Sequence, residues 1–154
     1  MRIVLVLAAL TLTTIATTVP AGATTYESAC PPTEAHARVD KAVRALHRAE
    51  ARLAEARRVL TATRTYSGQY GESVGRWVWL SRRVGWPWAQ MPTLMMVVDR
   101  ESGGDPAAWS GYYAGLLQFG EPWYLNKWDP FSPQQNLLHG RQAWQKVQWQ
   151  PWGL

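Results

Sequence analysis

The chain has one cysteine, three histidines and two phenylalanines among 154 residues. A lone thiol, Cys30, forbids any intramolecular disulfide, so packing alone must hold the fold. His36, His47 and His139 are scattered without metal-ligand spacing, and neither a glycine-rich phosphate loop nor a nucleophile elbow occurs. No cofactor and no metal site is expected. Long apolar runs are also missing: the N-terminal run over residues 3–10 is too short to span hydrocarbon. Carboxylates are in the minority, 11 against 16 Lys and Arg, and the resulting charge of +5 favours anionic partners.

What is present divides along the chain. Residues 1–23 open with Arg2, continue through the apolar run and close on Ala21-Gly22-Ala23, the small-x-small pattern of a cleaved secretory signal. An extracytoplasmic location, in the cell wall or a periplasm-like space, is expected. Residues 24–32 read as a linker. Glu27-Ser28-Ala29 before Cys30 lack the aliphatic residue of a lipobox, so no lipid anchor is expected.

Residues 33–64 read as a basic amphipathic helix. Thr33 suits its N-cap and Glu34 its first turn. Val39, Leu46, Leu53 and Leu60 recur every seven residues, with Ala42, Ala49 and Ala56 three positions later, the a/d seam of a coiled coil. Eight basic residues against four acidic ones run beside this seam. A basic zipper places its charge ahead of the seam, and export argues against DNA as well, so no nucleic-acid partner is expected. A parallel homodimer would set Arg52 against Arg57. An antiparallel hairpin, an anionic cell-wall polymer, a protein partner, or docking on the rest of the chain suits the seam better, with a solvated spacer as the plain alternative. Residues 65–75, with Ser67-Gly68 and Gly71, read as a second linker.

Residues 76–154 hold all ten Trp, a density that suggests a binding cleft, although at least half should belong to the core. Pro92 suits the first turn of a helix that Gly103-Gly104 stop. Pro122 can start a short helix carrying Trp123, Tyr124 and Trp128, and Ser132-Pro133-Gln134-Gln135 forms a capping box for the last one. On that last helix Leu137, Gly140, Trp144 and Val147 share a face, where Gly140 allows a close contact.

The chemistry centres on Glu101. It follows Leu94, Val97 and Val98 at spacings of seven, four and three, on the apolar face of the Pro92 helix and near its negative end. Both surroundings oppose the ionised form, which is the condition a general acid needs to protonate a leaving oxygen. The plain alternative is an ion pair with Arg100 or Arg82.

Two motifs extend this reading. Glu101-Ser102-Gly103-Gly104-Asp105-Pro106-Ala107-Ala108 is followed at the expected separation by Gly115-Leu116-Leu117-Gln118. Together they resemble the soluble lytic transglycosylase and lysozyme-like superfamily, and the region is similar to small secreted bacterial members with resuscitation-promoting-factor-like domains. The resemblance covers roughly two fifths of the chain, residues 92–154. It implies a mainly α, lysozyme-like catalytic domain, here preceded by a long coiled-coil-like helix. It implies Glu101 as the catalytic acid acting on the glycosidic bond between N-acetylmuramic acid and N-acetylglucosamine in peptidoglycan. Gln118 matches the cleft glutamine, Leu117 stands where many members have Met, and Ser102 and Asp105 would hold the turn. Gln118, Ser102, Leu117, Tyr113, Trp109, Trp123 and Asn136 form the expected substrate-binding set.

Two features depart from the pattern: cysteines bracketing the domain are absent, and so is an Ala-Tyr-Asn string on a late helix. A hydrolytic glycosidase needs a second carboxylate about 5–10 Å away. Asp105, Glu121 and Asp129 are available, but no pattern singles one out. One distinguished acid favours a lytic transglycosylase, in which the substrate's own groups close a 1,6-anhydro ring. A hydrolytic muramidase, or a noncatalytic wall- or partner-binding module, is the alternative.

Overall fold

A computed structural model describes residues 32–154. The signal segment 1–23, Cys30 and residues 24–31 of the first linker lie outside the described residues. The fold is mainly helical. Two compact units divide it, Met1–Arg44 and Ala45–Leu154. The described part of the first is the opening of helix α1 (Pro32–Tyr70), where Arg38 pairs with Glu34 one turn earlier at 2.6 Å. The helix begins at Pro32, so Thr33 lies inside it and is not its cap.

The second unit holds the rest of α1, then α2 (Glu72–Gly75), α3 (Trp77–Arg83), a 3₁₀ turn at Trp88–Gln90, α4 (Met91–Ser102), α5 (Glu121–Tyr124), α6 (Pro133–Val147) and a final 3₁₀ turn at Gln150–Trp152. Between α4 and α5 a small antiparallel hairpin pairs β1 (Tyr113–Ala114) with β2 (Phe119–Gly120), Tyr113 opposite Gly120 and Ala114 opposite Phe119.

The expected linker over 65–75 is a correction. α1 runs through Ser67-Gly68 to Tyr70, and the chain turns only at Gly71, whose φ is +94°. Packing decides this: Val59, Ala62, Tyr66 and Tyr70 of α1 lie against the core, which offsets the helix cost of one glycine, about 1 kcal/mol. At 3.6 residues per turn this docked face stands roughly a third of a turn from the heptad stripe. Leu46, Leu53 and Leu60 are therefore exposed.

The core forms where the apolar face of α4 meets the hairpin and α6. Leu94, Met95, Val97 and Val98 are fully buried, with Leu116, Leu117, Leu137 and Trp86. Gly140 of α6 faces Leu117 and Trp86, and a Cβ there would collide with the Leu117 side chain. The Ser132 hydroxyl caps α6 by accepting from the Gln135 amide at 3.5 Å. The second half of the expected capping box is absent, because the Gln135 side chain accepts instead from the Asp129 amide at 2.9 Å. The Pro122 helix is shorter than expected: α5 ends at Tyr124, and Trp128 lies beyond it.

Candidate active site

Glu101 sits in the last turn of α4, and three features hold that turn in place. Gly103 closes the helix in the left-handed region, φ +59°, and donates to the Asp99 carbonyl at 2.8 Å. The Ser102 hydroxyl donates to the Val98 carbonyl at 3.0 Å and accepts from the Gly104 amide at 3.2 Å. Gly104, at φ +80°, lies against the backbone of Ser73 and Val74, and its carbonyl accepts from the Trp77 indole at 2.9 Å. Asp105 then accepts from the Ala107 amide at 2.9 Å, a local turn contact.

The opposite wall is the hairpin. Gln118 has φ +48°, and its amide nitrogen donates to the Gly115 and Ala108 carbonyls at 2.9 and 3.1 Å. Its oxygen accepts from the Ser110 hydroxyl at 3.3 Å. Below it, the Trp152 indole donates to the Leu117 carbonyl at 3.0 Å. Glu101, Ser110, Tyr113, Gln118, Pro151 and Trp152 together line a groove of about 390 Å³.

Arg100 governs the acid's near surroundings. Its guanidinium donates twice to Oε1 of Glu101, at 2.8 and 3.0 Å, and also to the Trp152 carbonyl. Oε2 accepts no hydrogen bond among the described residues. The Glu101 side chain keeps 25% of its surface exposed and its partner is a cation, so the plain alternative, an ion pair with Arg100, is formed in place of the dry apolar setting expected; the acid is paired but not sealed. Of the two arginines considered as its partner, Arg82 lies elsewhere, bonded to Glu55 at 2.9 Å.

The other expected site residues separate. Tyr113 lines the groove and is half exposed. Trp109 is exposed, paired through its backbone with Ala114, and is not among the groove-lining residues. Trp123 packs on Phe119, 5.7 Å between ring centroids, and lines a different cavity with Lys127, Trp128 and His139. Ser102 acts within the turn. Leu117 and Asn136 are corrections, because both are fully buried and neither side chain reaches the groove. Asn136 instead accepts from the Leu117 amide at 3.0 Å and donates to the Pro130 and Ala114 carbonyls at 3.0 and 3.4 Å, bracing the loop that carries Gln118.

Ser110, Pro151 and Trp152 are the groove residues that the motifs did not supply, and Arg100 joins the site through its bonds to Glu101. The terminal Trp149-Gln150-Pro151-Trp152 string was the visible signal for Pro151 and Trp152, and Arg100 was visible as a possible partner of Glu101. Of the candidate second carboxylates, Asp105, Glu121 and Asp129 are exposed, and Asp129 is bonded to the Phe131 amide at 2.9 Å. None of the three lines the groove.

No family model, no curated protein and no solved structure matches this chain.

Proposed function

We propose that the chain is a secreted lytic transglycosylase with a lysozyme-like domain, cleaving peptidoglycan glycan strands between N-acetylmuramic acid and N-acetylglucosamine. The observation that carries this reading is Glu101. Among the described residues it is the one carboxylate lining a groove it shares with Gln118, Tyr113 and Trp152.

The chemistry follows from a single acid. Glu101, protonated, gives its proton to the glycosidic oxygen as the bond to the muramyl C1 breaks, and the N-acetyl group of the same sugar stabilises the positive C1. The resulting carboxylate then takes the proton of the muramyl C6 hydroxyl as that oxygen attacks C1. The anhydro ring closes, no water is consumed, and Glu101 regains its proton. Oε2, which accepts no hydrogen bond among the described residues, is the oxygen available for both transfers, while Arg100 fixes the orientation of the carboxylate through Oε1. Tyr113, half exposed on the wall, offers a ring face for the apolar face of a sugar. Gln118 serves chiefly to set the wall, since both ends of its amide are engaged within the hairpin region.

Purified peptidoglycan digested with the protein and with Glu101→Gln, the soluble products read by mass spectrometry, tests the reading. Anhydromuropeptides that vanish with the variant are expected. Reducing-end muropeptides would make the enzyme a hydrolytic muramidase, and no release from several wall types would leave a noncatalytic wall- or partner-binding module.

A further inference from the structure

A second groove, of about 620 Å³, runs along α1 beside α3. Its lining is mostly apolar: Ala56, Val59 and Leu60 on the helix face Trp79 across the gap, with Arg52, Glu55 and Thr63 as the polar members. Leu60 and Trp79 each leave half their surface in water, and so do Leu46 and Leu53 on the same stripe. Such an unbroken apolar line is uncommon on a surface with no partner. Small residues, Ala49 and Ala56, alternate with the leucines, giving the holes that receive the knobs of a second helix. From Leu46 to Leu60 the stripe extends about 21 Å, or four turns.

The charge beside the stripe selects the occupant. Arg52 flanks one side, Arg57 and Arg64 the other, and none of these three has an ion pair among the described residues. Arg83 adds a fourth cation, its guanidinium 4.9 Å from the centre of the Trp79 ring. Glu50 is the flanking carboxylate left to oppose them, because Glu55 is held by Arg82 and by the Trp88 indole at 3.1 Å. A second copy of this chain would bring the same arginines against these. An anionic polymer would match the charge and leave the leucines in water.

We propose that this groove, together with the exposed leucine stripe that continues from it, docks an acidic amphipathic helix of a partner protein, whose apolar stripe sits on Leu60 and Trp79 in the groove and on Leu53 and Leu46 beyond it, with its carboxylates on the flanking arginines.

Synthetic helical peptides of about three heptads probe the site on the full chain. One carries Leu at both seam positions and Glu at the flanks, a second replaces the flanking Glu by Lys, and a third keeps Glu but has Ser on the seam. The Leu/Glu peptide should bind at least about tenfold tighter than either control and weaken with salt, followed by anisotropy of a labelled peptide. Leu53→Asp with Leu60→Asp should abolish binding. Arg52→Glu, Arg57→Glu and Arg64→Glu together should reverse the preference toward the Lys peptide. All five positions are exposed, and circular dichroism checks that the helix persists. Glu101→Gln should bind the peptide as the parent does, which separates this result from the fate of the proposed cleavage. Equal affinity for the Glu and Lys peptides would overturn the proposal. So would sedimentation of the free protein as a dimer that Leu53→Asp and Leu60→Asp convert to a monomer.

Discussion

Gln118 and Glu101 stand on opposite walls of one groove and answer to different forces. The left-handed backbone of Gln118, φ +48°, costs an ordinary side chain about 1–2 kcal/mol, and three side-chain hydrogen bonds hold it there. Gln118→Ala keeps that backbone and loses all three bonds. Denaturant unfolding should show a loss of about 1–3 kcal/mol, and a smaller one for Gln118→Gly, which relieves the backbone. Glu101→Gln gives up only a partly exposed ion pair, so its stability should change by less than about 1 kcal/mol while the proposed strand cleavage falls at least about a hundredfold. Asn136 belongs with Gln118. Its side chain is fully buried and bonded to three backbone groups, and Asn136→Ala should cost about 2–4 kcal/mol in the same assay. The motif spacing made Glu101 and Gln118 legible as groove residues. It could not separate Tyr113 from Leu117, because which side of the hairpin faces the core is settled by α6 and the terminal turn, both distant in sequence, and Asn136 on α6 was out of reach of the motifs altogether.

Among the elements, α4 was the most legible, since its apolar period, its proline in the first turn and its double glycine agree on both ends. Gly104 ties that helix to the next layer: with φ +80° and the Ser73–Val74 backbone against it, there is no room for a side chain. Gly104→Ala should therefore cost about 2–5 kcal/mol of stability and displace the Glu101 turn, lowering the proposed cleavage by the remaining folded protein. A stability loss under about 1 kcal/mol would mean that α2 and α4 slide past each other freely, contrary to the packing described. The end of α1 was less legible, for a physical reason. Ser67-Gly68 lowers local helix propensity, but Tyr66 and Tyr70 gain burial only if the helix continues. The heptad stripe misled in the complementary way, because a strong periodic pattern marks an apolar face without saying what covers it.

Across the whole second unit, tryptophan supplies the cohesion that disulfides would provide in other small domains. Trp144, Trp86, Trp149 and Trp152 follow one another with ring centroids 5.4–5.7 Å apart, and Phe119 extends the series 5.9 Å further. The composition therefore pointed to a core as much as to a cleft: two of the ten Trp are buried and three exposed. A polar clasp adds to the packing that ties α1 to the body. Glu55 accepts from Arg82 and Trp88, while Arg58 and Arg82 lie 4.3 and 4.7 Å from the centre of the Trp88 ring. The hydrogen bond from Arg82 is the main reason the Glu55 carboxyl is held below the usual range. The Trp88 indole and the charges of Arg82 and Arg58 add to it, and partial desolvation opposes it. Because the folded state binds this proton less readily than the unfolded chain, the clasp contributes fully above the ordinary glutamate value. That contribution disappears as pH falls through the lowered one. Water reaches the pair, so the contribution is of order 1 kcal/mol or less. Urea unfolding of the parent and Glu55→Gln across a pH series should show the variant less stable at neutral pH, with the gap closing in acid. A gap that stayed constant into strong acid would assign the loss to packing or to the neutral hydrogen bonds, and would remove the carboxylate charge from the account of how α1 is held.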